Sequence, residues 1–410
     1  MDKTLLEKYA KLTILIGAGL KKGQEVILNT SVECNEFNRE LVKQCYQYGA
    51  KNIHIEYRDD YINKLNYQNQ SLQILTNIPK YIADRREIPV KNGACIINVI
   101  SDIPDIFKDI NSDKLKKISQ AKEKALKVYR EYQSANRIQW TIVAWPNMQW
   151  AKKVFPNLSE QQAYKKLEES ILKCCYVDKS SDPIKNWNKH NTLTHNRVNK
   201  MNKLNFQSLH FKNNVGTNLI IELAKNHNWA GGQELSWSKT KFNPNIPTEE
   251  IFGMPYKYGV NGKVVSTKPL NYLGNTIKNF SLTFKNGKVV KYSSKDNQNT
   301  LRSLIEYDEG SHYLGEVAIV EYYSPISLSN ILFYETLFDE NASCHLALGR
   351  AYQMNIKNGI KLKREQLTKL GANYSNTHVD FMFGSKDMSI VGTTKDHKKI
   401  QIFKNGRFVF

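Results

Sequence analysis

Four short stretches in the second half of this 410-residue chain concentrate carboxylates and imidazoles. Pro247-Thr248-Glu249-Glu250 sets two acids behind a proline, and Gly315-Glu316-Val317-Ala318-Ile319-Val320 opens an apolar run with an acid. Asp339-Glu340 precedes Cys344-His345-Leu346-Ala347-Leu348-Gly349-Arg350-Ala351-Tyr352, and Thr377-His378-Val379-Asp380-Phe381-Met382 carries a His-x-Asp pair. On a strand, His378 and Asp380 project to one face and Val379 to the other, which makes a compact two-ligand unit for a divalent ion. Glu250, Glu316, Glu340, His345, His378 and Asp380 together supply four carboxylates and two imidazoles. Two divalent ions need such a set when one carboxylate bridges them. Mixed oxygen and nitrogen ligation suits Zn, Co or Mn better than Ca. The lack of thiolates in the set argues against a closed structural zinc site. No HExxH and no GxSxG occurs, so neither a one-metal thermolysin-like centre nor a serine nucleophile is supported.

Each stretch also has a plainer structural reading. Thr248 with its acids resembles a capped helix start, where carboxylates complement the dipole. Glu316 reads equally well as a solvated residue at the lip of a strand. Residues 346–351 are compatible with a helix. On that helix His345 and Tyr352, two turns apart, face the same way, with Glu340 at its entrance. A structural histidine near a helix start fits the same residues. Cys344 does not form a Cys-His dyad with His345 merely by adjacency.

The elements that must position these groups divide the chain in two. Residues 3–21 show helical spacing, Glu25–Thr30 and Asn52–Tyr57 read as strands, and Asn35–Tyr48 reads as the helix between them, a βαβ unit. Residues 94–100 and 140–146 are apolar runs of buried-strand length. A lysine-faced helix is expected over 112–133, and another over 159–174 with Ser159 as its cap. Alternating strands and helices imply a parallel sheet with flanking helices. The polar stretch 178–205 reads as a junction, placing an α/β N-terminal domain at 1–185 and an α+β catalytic domain with a largely antiparallel sheet at 186–410. In the second part, 205–211 and 217–223 read as strands, and Asn261-Gly262, Asn286-Gly287 and Asn405-Gly406 as hairpin turns. Gly17-Ala18-Gly19 lacks both the third glycine and the preceding strand of a dinucleotide site, and His54 reads as structural.

Composition narrows the function classes. Hydrophobic residues make up 40% and charged residues 24% of the chain, ordinary for a globular protein. No apolar run approaches the roughly 18 residues of a membrane span, and Met1-Asp2-Lys3-Thr4 does not resemble a signal peptide. Six scattered cysteines without CxxC spacing suit reduced thiols and a cytoplasmic location. The formal charge of +20 is spread along the whole chain without a dense basic block. It therefore implies weak, salt-sensitive adhesion to polyanions and no specific nucleic-acid partner.

The sequence resembles the aminopeptidase T / aminopeptidase S (PepS) family of two-metal bacterial exopeptidases. The resemblance is carried by Asn245 to Phe252, Val264-Val265-Ser266-Thr267-Lys268-Pro269-Leu270, Tyr313-Leu314-Gly315-Glu316-Val317-Ala318, Ser324-Pro325-Ile326-Ser327, Leu337 to Gly349 and Thr377 to Met382. Gly23-Gln24-Glu25-Val26 and Trp140 to Pro146 extend it over essentially the whole chain. It implies a cytoplasmic homodimer that takes peptides with a free N-terminus and holds two divalent ions. Glu250, Glu316, Glu340, His345, His378 and Asp380 match the family's metal positions, with Glu316 as the bridge. Tyr352 matches its catalytic tyrosine, and Glu340 could serve as ligand, general base or both. Two rival readings are another two-metal hydrolase, such as a dipeptidase or amidase, and a non-catalytic polyanion-binding protein.

Overall fold

The computed structural model describes residues 2–272 and 275–410. The chain forms two compact units, one of residues 1–190 with 233–247 and one of residues 191–232 with 248–410. Among the described residues no helix is long and apolar enough to cross a membrane. All six cysteines are buried thiols outside any disulfide.

The first unit is built on a parallel four-stranded sheet. Its strands are Glu25–Ser31, Asn52–Arg58, Cys95–Ile100 and Trp140–Ala144, with Asn52–Arg58 at one edge and Trp140–Ala144 at the other. The expected α/β architecture holds. Val26, Ile27, Leu28, Ile96, Ile97 and Val143 are almost completely buried, as a sheet covered on both faces demands. The helix Glu160–Cys174 begins with a capping box: Ser159 bonds the Gln162 backbone and Gln162 reaches back to Ser159. The expected 112–133 helix is two helices, Ser112–Ala125 and Lys127–Ser134, separated at the buried Leu126. His54 pairs with Glu25 across neighbouring strands at 2.9 Å, a structural contact.

The region read as a polar junction contains a 22-residue helix, Pro183–Leu204. Hydropathy misses it because its buried positions are largely polar. Trp187 and Met201 are buried, but so are His190, Asn191, Thr194 and Arg197 at helical spacing.

The second unit holds an eight-stranded antiparallel sheet and a separate four-stranded antiparallel one, joined by a single apolar core. Asn286-Gly287 turns Ser281–Lys285 into Lys288–Ser293, both residues taking positive φ (51° and 81°) as a two-residue turn requires. Asn405-Gly406 does the same for Lys399–Lys404 and Arg407–Phe408. Asn261-Gly262, also expected to turn, lies inside the continuous strand Pro255–Val265, paired on both sides. A Cβ on Gly262 would sit 2.2 Å from the Asn218 carbonyl oxygen, so the glycine serves close approach of the neighbouring strand.

Candidate metal centre

The smaller antiparallel sheet of the second unit collects the predicted residues. Its strands run in the order His378–Met382, His345–Gly349, Leu314–Val320 and Glu250–Gly253. Register pairs Gly349 with His378, Ala347 with both Asp380 and Glu316, Ala318 with both His345 and Phe252, and Val320 with Glu250. Residues directly opposite on antiparallel strands share a face. One face thus bears Glu250, Glu316, His345, His378 and Asp380 over a floor of Ala318, Ala347 and Gly349. The other bears Ile251, Val317, Ile319, Leu346, Leu348 and Phe381, all packed into the core.

This arrangement corrects three local expectations. The stretch from His345 is a strand, not a helix: its alternation puts His345, Ala347 and Gly349 on the site face and the two leucines in the core. Both faces are buried, so the run appears continuously apolar, a pattern that periodicity cannot separate from a short buried helix. Glu250 lies on a strand rather than in a helix start, and Glu316 is 5% exposed in an inner strand rather than solvated at a lip.

The polar atoms converge. His345 Nε2 stands 3.0 Å from Glu250 Oε2 and 3.6 Å from Glu316 Oε1. His378 Nε2 stands 3.8 Å from Glu316 Oε2 and 3.4 Å from Asp380 Oδ1. One carboxylate, Glu316, therefore turns an oxygen toward each imidazole. Donor atoms of Glu250, Glu316 and His345 lie within 4.8 Å of one another. Both rings are oriented from behind by backbone carbonyls. His345 Nδ1 faces the Ser343 oxygen at 3.2 Å and His378 Nδ1 the Arg350 oxygen at 2.7 Å. With Nδ1–H donating there, each Nε2 presents its lone pair to the carboxylates, as metal-ligating histidines do.

Such a cluster fits a bound cation. Glu250 Oε2, His345 Nε2 and Asp380 Oδ1 are buried without a hydrogen-bond partner among the described residues. Buried orphan acceptors and unneutralised carboxylates are costly, and a divalent ion satisfies them together. The electrostatics carry the same strain. Burial pushes the Glu316 carboxyl up to about 7, although His345 pulls it down. Burial opposes charge on both imidazoles, but the surrounding acids outweigh it. Glu250 and Glu316 hold His345 well above its ordinary range, and Asp380 with Glu316 raises His378 to about 9. Glu340 begins the short turn Glu340–Ala342, and burial with repulsion from Glu250 and Asp380 drives its carboxyl well upward. Among the described residues no ion pair joins it to either histidine. Tyr352 is in extended backbone, not on a helix, yet its ring packs on His378 with centroids 4.7 Å apart. Burial and the acids Glu316, Asp380 and Glu340 keep its phenol protonated. Cys344 points away from the metal face, bonds the Val320 carbonyl, and has its thiol pushed up to about 11 by burial.

Two asparagines that sequence reasoning passed over hold the frame. Fully buried Asn341 accepts from the Glu249 backbone N–H at 2.7 Å and donates to the Leu337 carbonyl at 3.2 Å, tying the Glu250 strand to the turn bearing Glu340. Asn373 donates to the carbonyls of Gly310 and Gly349 at 2.8 and 2.7 Å. Asparagine is abundant throughout this chain, so nothing local distinguishes these two. Ala230 exchanges both backbone bonds with Phe252 at 3.0 and 2.9 Å and covers the outer edge of the sheet. Gly231 follows at φ 153°, where a Cβ would lie 2.5 Å from the Glu250 carbonyl oxygen.

Comparison with known proteins agrees with this chemistry. Residues 2–408 match the model of the Peptidase M29 family, described as thermophilic metalloprotease (M29). Aminopeptidase AmpS of Bacillus subtilis (strain 168) is 45% identical over 99% of this chain and 98% of its own length. Aminopeptidase 2 of Geobacillus stearothermophilus is 40% identical over the same shares. The solved structure of wild-type AmpT from Thermus thermophilus superimposes with a TM-score of 0.93 at 33% identity, covering 100% of both chains. The buried acid and imidazole cluster, the divalent metal it suits and these matches over the whole length lead to one assignment: the chain belongs to the M29 family of metalloproteases.

Proposed function

We infer that this protein is a metal-dependent aminopeptidase that releases N-terminal residues from peptides and uses two divalent ions held by Glu250, Glu316, Glu340, His345, His378 and Asp380. The observation that carries the reading is Glu316, whose two oxygens face two different imidazoles. Charge supports the number. Four carboxylates beside two neutral imidazoles leave four negative charges, which two divalent cations balance. When bound, such a pair, whether Zn, Co or Mn, lowers the pKa of a water and polarises the scissile carbonyl.

The protein's own groups do the remaining work. His345 and His378 are held by their Nδ1 bonds with Nε2 forward. Glu316 spans both halves of the cluster. Glu340, free of either imidazole, takes the proton from the attacking water and delivers it to the leaving amine. Tyr352 donates its hydroxyl to the oxyanion of the tetrahedral intermediate. The likeness to curated aminopeptidases supports a substrate with a free α-amine, which separates an aminopeptidase from an amidase. This chemistry belongs to residues 186–410, with 1–185 as the accompanying α/β domain. Six cysteines outside any disulfide support a cytoplasmic setting, and the family likeness supports a homodimer.

Exhaustive dialysis against a chelator, followed by metal analysis and assay on aminoacyl-p-nitroanilides, tests the reading. Activity should vanish and return with Zn, Co or Mn at two equivalents per chain. Full activity without metal, or equal hydrolysis of N-blocked and free-amine peptides, refutes it.

A further inference from the structure

Three basic residues of the first unit gather at a cavity that the metal chemistry does not use. In the first unit, residues 233–247 form a hairpin from Glu234–Leu235 and Lys241–Phe242. It is pinned by Trp237 N–H to the Asn136 carbonyl at 3.0 Å, and by Asn243 N–H to the carbonyls of Ile16 and Gly17 at 3.0 and 2.9 Å. Beside it lies a cavity of about 360 Å³ whose lining includes Lys21, Lys22, Arg137, Gln139, Ser238 and Thr240. No aspartate or glutamate is among the lining residues. The hairpin's own acid, Glu234, is instead approached by the Asn136 amide at 3.4 Å.

Arg137 is the distinctive member. Its guanidinium sits over Tyr132 at 5.1 Å and over Trp237 at 4.9 Å from the ring centroids. Its Nε is buried without a hydrogen-bond partner, and no carboxylate pairs with it among the described residues. A partly buried guanidinium held against two rings with its Nε unpartnered is available to an anion. Ser236, Ser238 and Thr240 form a hydroxyl chain at 2.8 and 3.2 Å along the hairpin. Gln24 bridges the Gly93 carbonyl and Gln139 at 2.7 and 3.1 Å, fixing the opposite wall.

We propose that this cavity binds a phosphoryl group, free or carried on a small molecule. Three cations with no acid match a phosphate dianion better than a single carboxylate. The stacked guanidinium presents its fork already ordered, which removes part of the cost of binding. The hydroxyl chain supplies further donors.

Titration calorimetry of the metal-loaded protein with inorganic phosphate and, separately, adenosine monophosphate tests the site at constant ionic strength. One saturable event per chain is expected with phosphate. Tighter binding of the nucleotide marks a carried phosphoryl group, and equal binding marks the free ion. R137A should weaken phosphate binding at least about tenfold, the scale of losing a charged hydrogen-bond donor, and R137K should weaken it less. The surface double variant K21Q/K22Q should weaken binding without changing the melting temperature, so the test stands even if R137A folds poorly. E316Q should bind phosphate as the unaltered protein does. Absence of saturable binding, loss in E316Q with retention in R137A, or acetate binding as tightly as phosphate overturns the proposal.

Discussion

Each unit contains a buried four-stranded sheet, and the two are buried by different means. In the first unit, parallel strands present Val26, Ile27, Leu28, Ile96, Ile97 and Val143 to their surroundings. Among the buried polar groups there, the Asn29 amide donates to Asn98 at 2.9 Å and the Thr30 hydroxyl to Asn38 at 2.6 Å. In the second unit, antiparallel strands give one face to the core and the other to Glu250, Glu316, His345, His378 and Asp380, with orphan acceptors among them. The orphan atoms of the first sheet, Asn29 Oδ1 and Thr141 Oγ1, are neutral. The second needs a ligand to be satisfied, because buried charge without a counter-ion is not stable on its own. Metal at the proposed site would therefore stabilise the second unit.

The comparison can be broken most severely at Glu316. E316Q should lower turnover by about three orders of magnitude, the upper scale for losing one preorganised electrostatic contact, and should drop metal content below two ions per chain by elemental analysis. Near-normal turnover would remove its bridging role. Next in size, Y352F should lower kcat by roughly a hundredfold, one oxyanion donor's worth, with metal content and KM little changed. An effect confined to KM would make Tyr352 a binding residue only. N341A leaves the Glu249 N–H without its acceptor and should weaken metal affinity by about 10- to 100-fold, as loss of a residue behind the ligands does. Competitive chelator titration reads that change, and unaltered affinity would make Asn341 purely structural. The smallest effect belongs to the first unit. S159A should cost about 1 kcal/mol of stability through loss of the helix cap, read by denaturant unfolding, while metal stoichiometry stays the same. A change in metal content there would contradict the contrast between the two sheets.

Legibility in the sequence followed the range of the interactions. The His378-Val379-Asp380 alternation, the Ser159 cap and the Asn286-Gly287 turn were readable because each rests on neighbours along the chain. The strand at His345–Gly349 was not, since a short run buried on both faces carries no period. The polar helix Pro183–Leu204 was missed for the opposite reason: its buried side carries histidine, asparagine, threonine and arginine where apolar residues would announce it.

The sequence by itself supplied the residue types proposed as donors, four carboxylates and two imidazoles without thiolates, and with them the class of chemistry. Those follow from residue identity, which folding does not alter. Only the tertiary structure decided that Glu250, Glu316, His345, His378 and Asp380 share one face, that Glu316 looks toward both imidazoles, and that Ala318, Ala347 and Gly349 leave room above them. Strand register sets these relations. Register depends on pairing between segments far apart in the chain, and a slip of one residue would have turned the strand's site-facing side chains into the core.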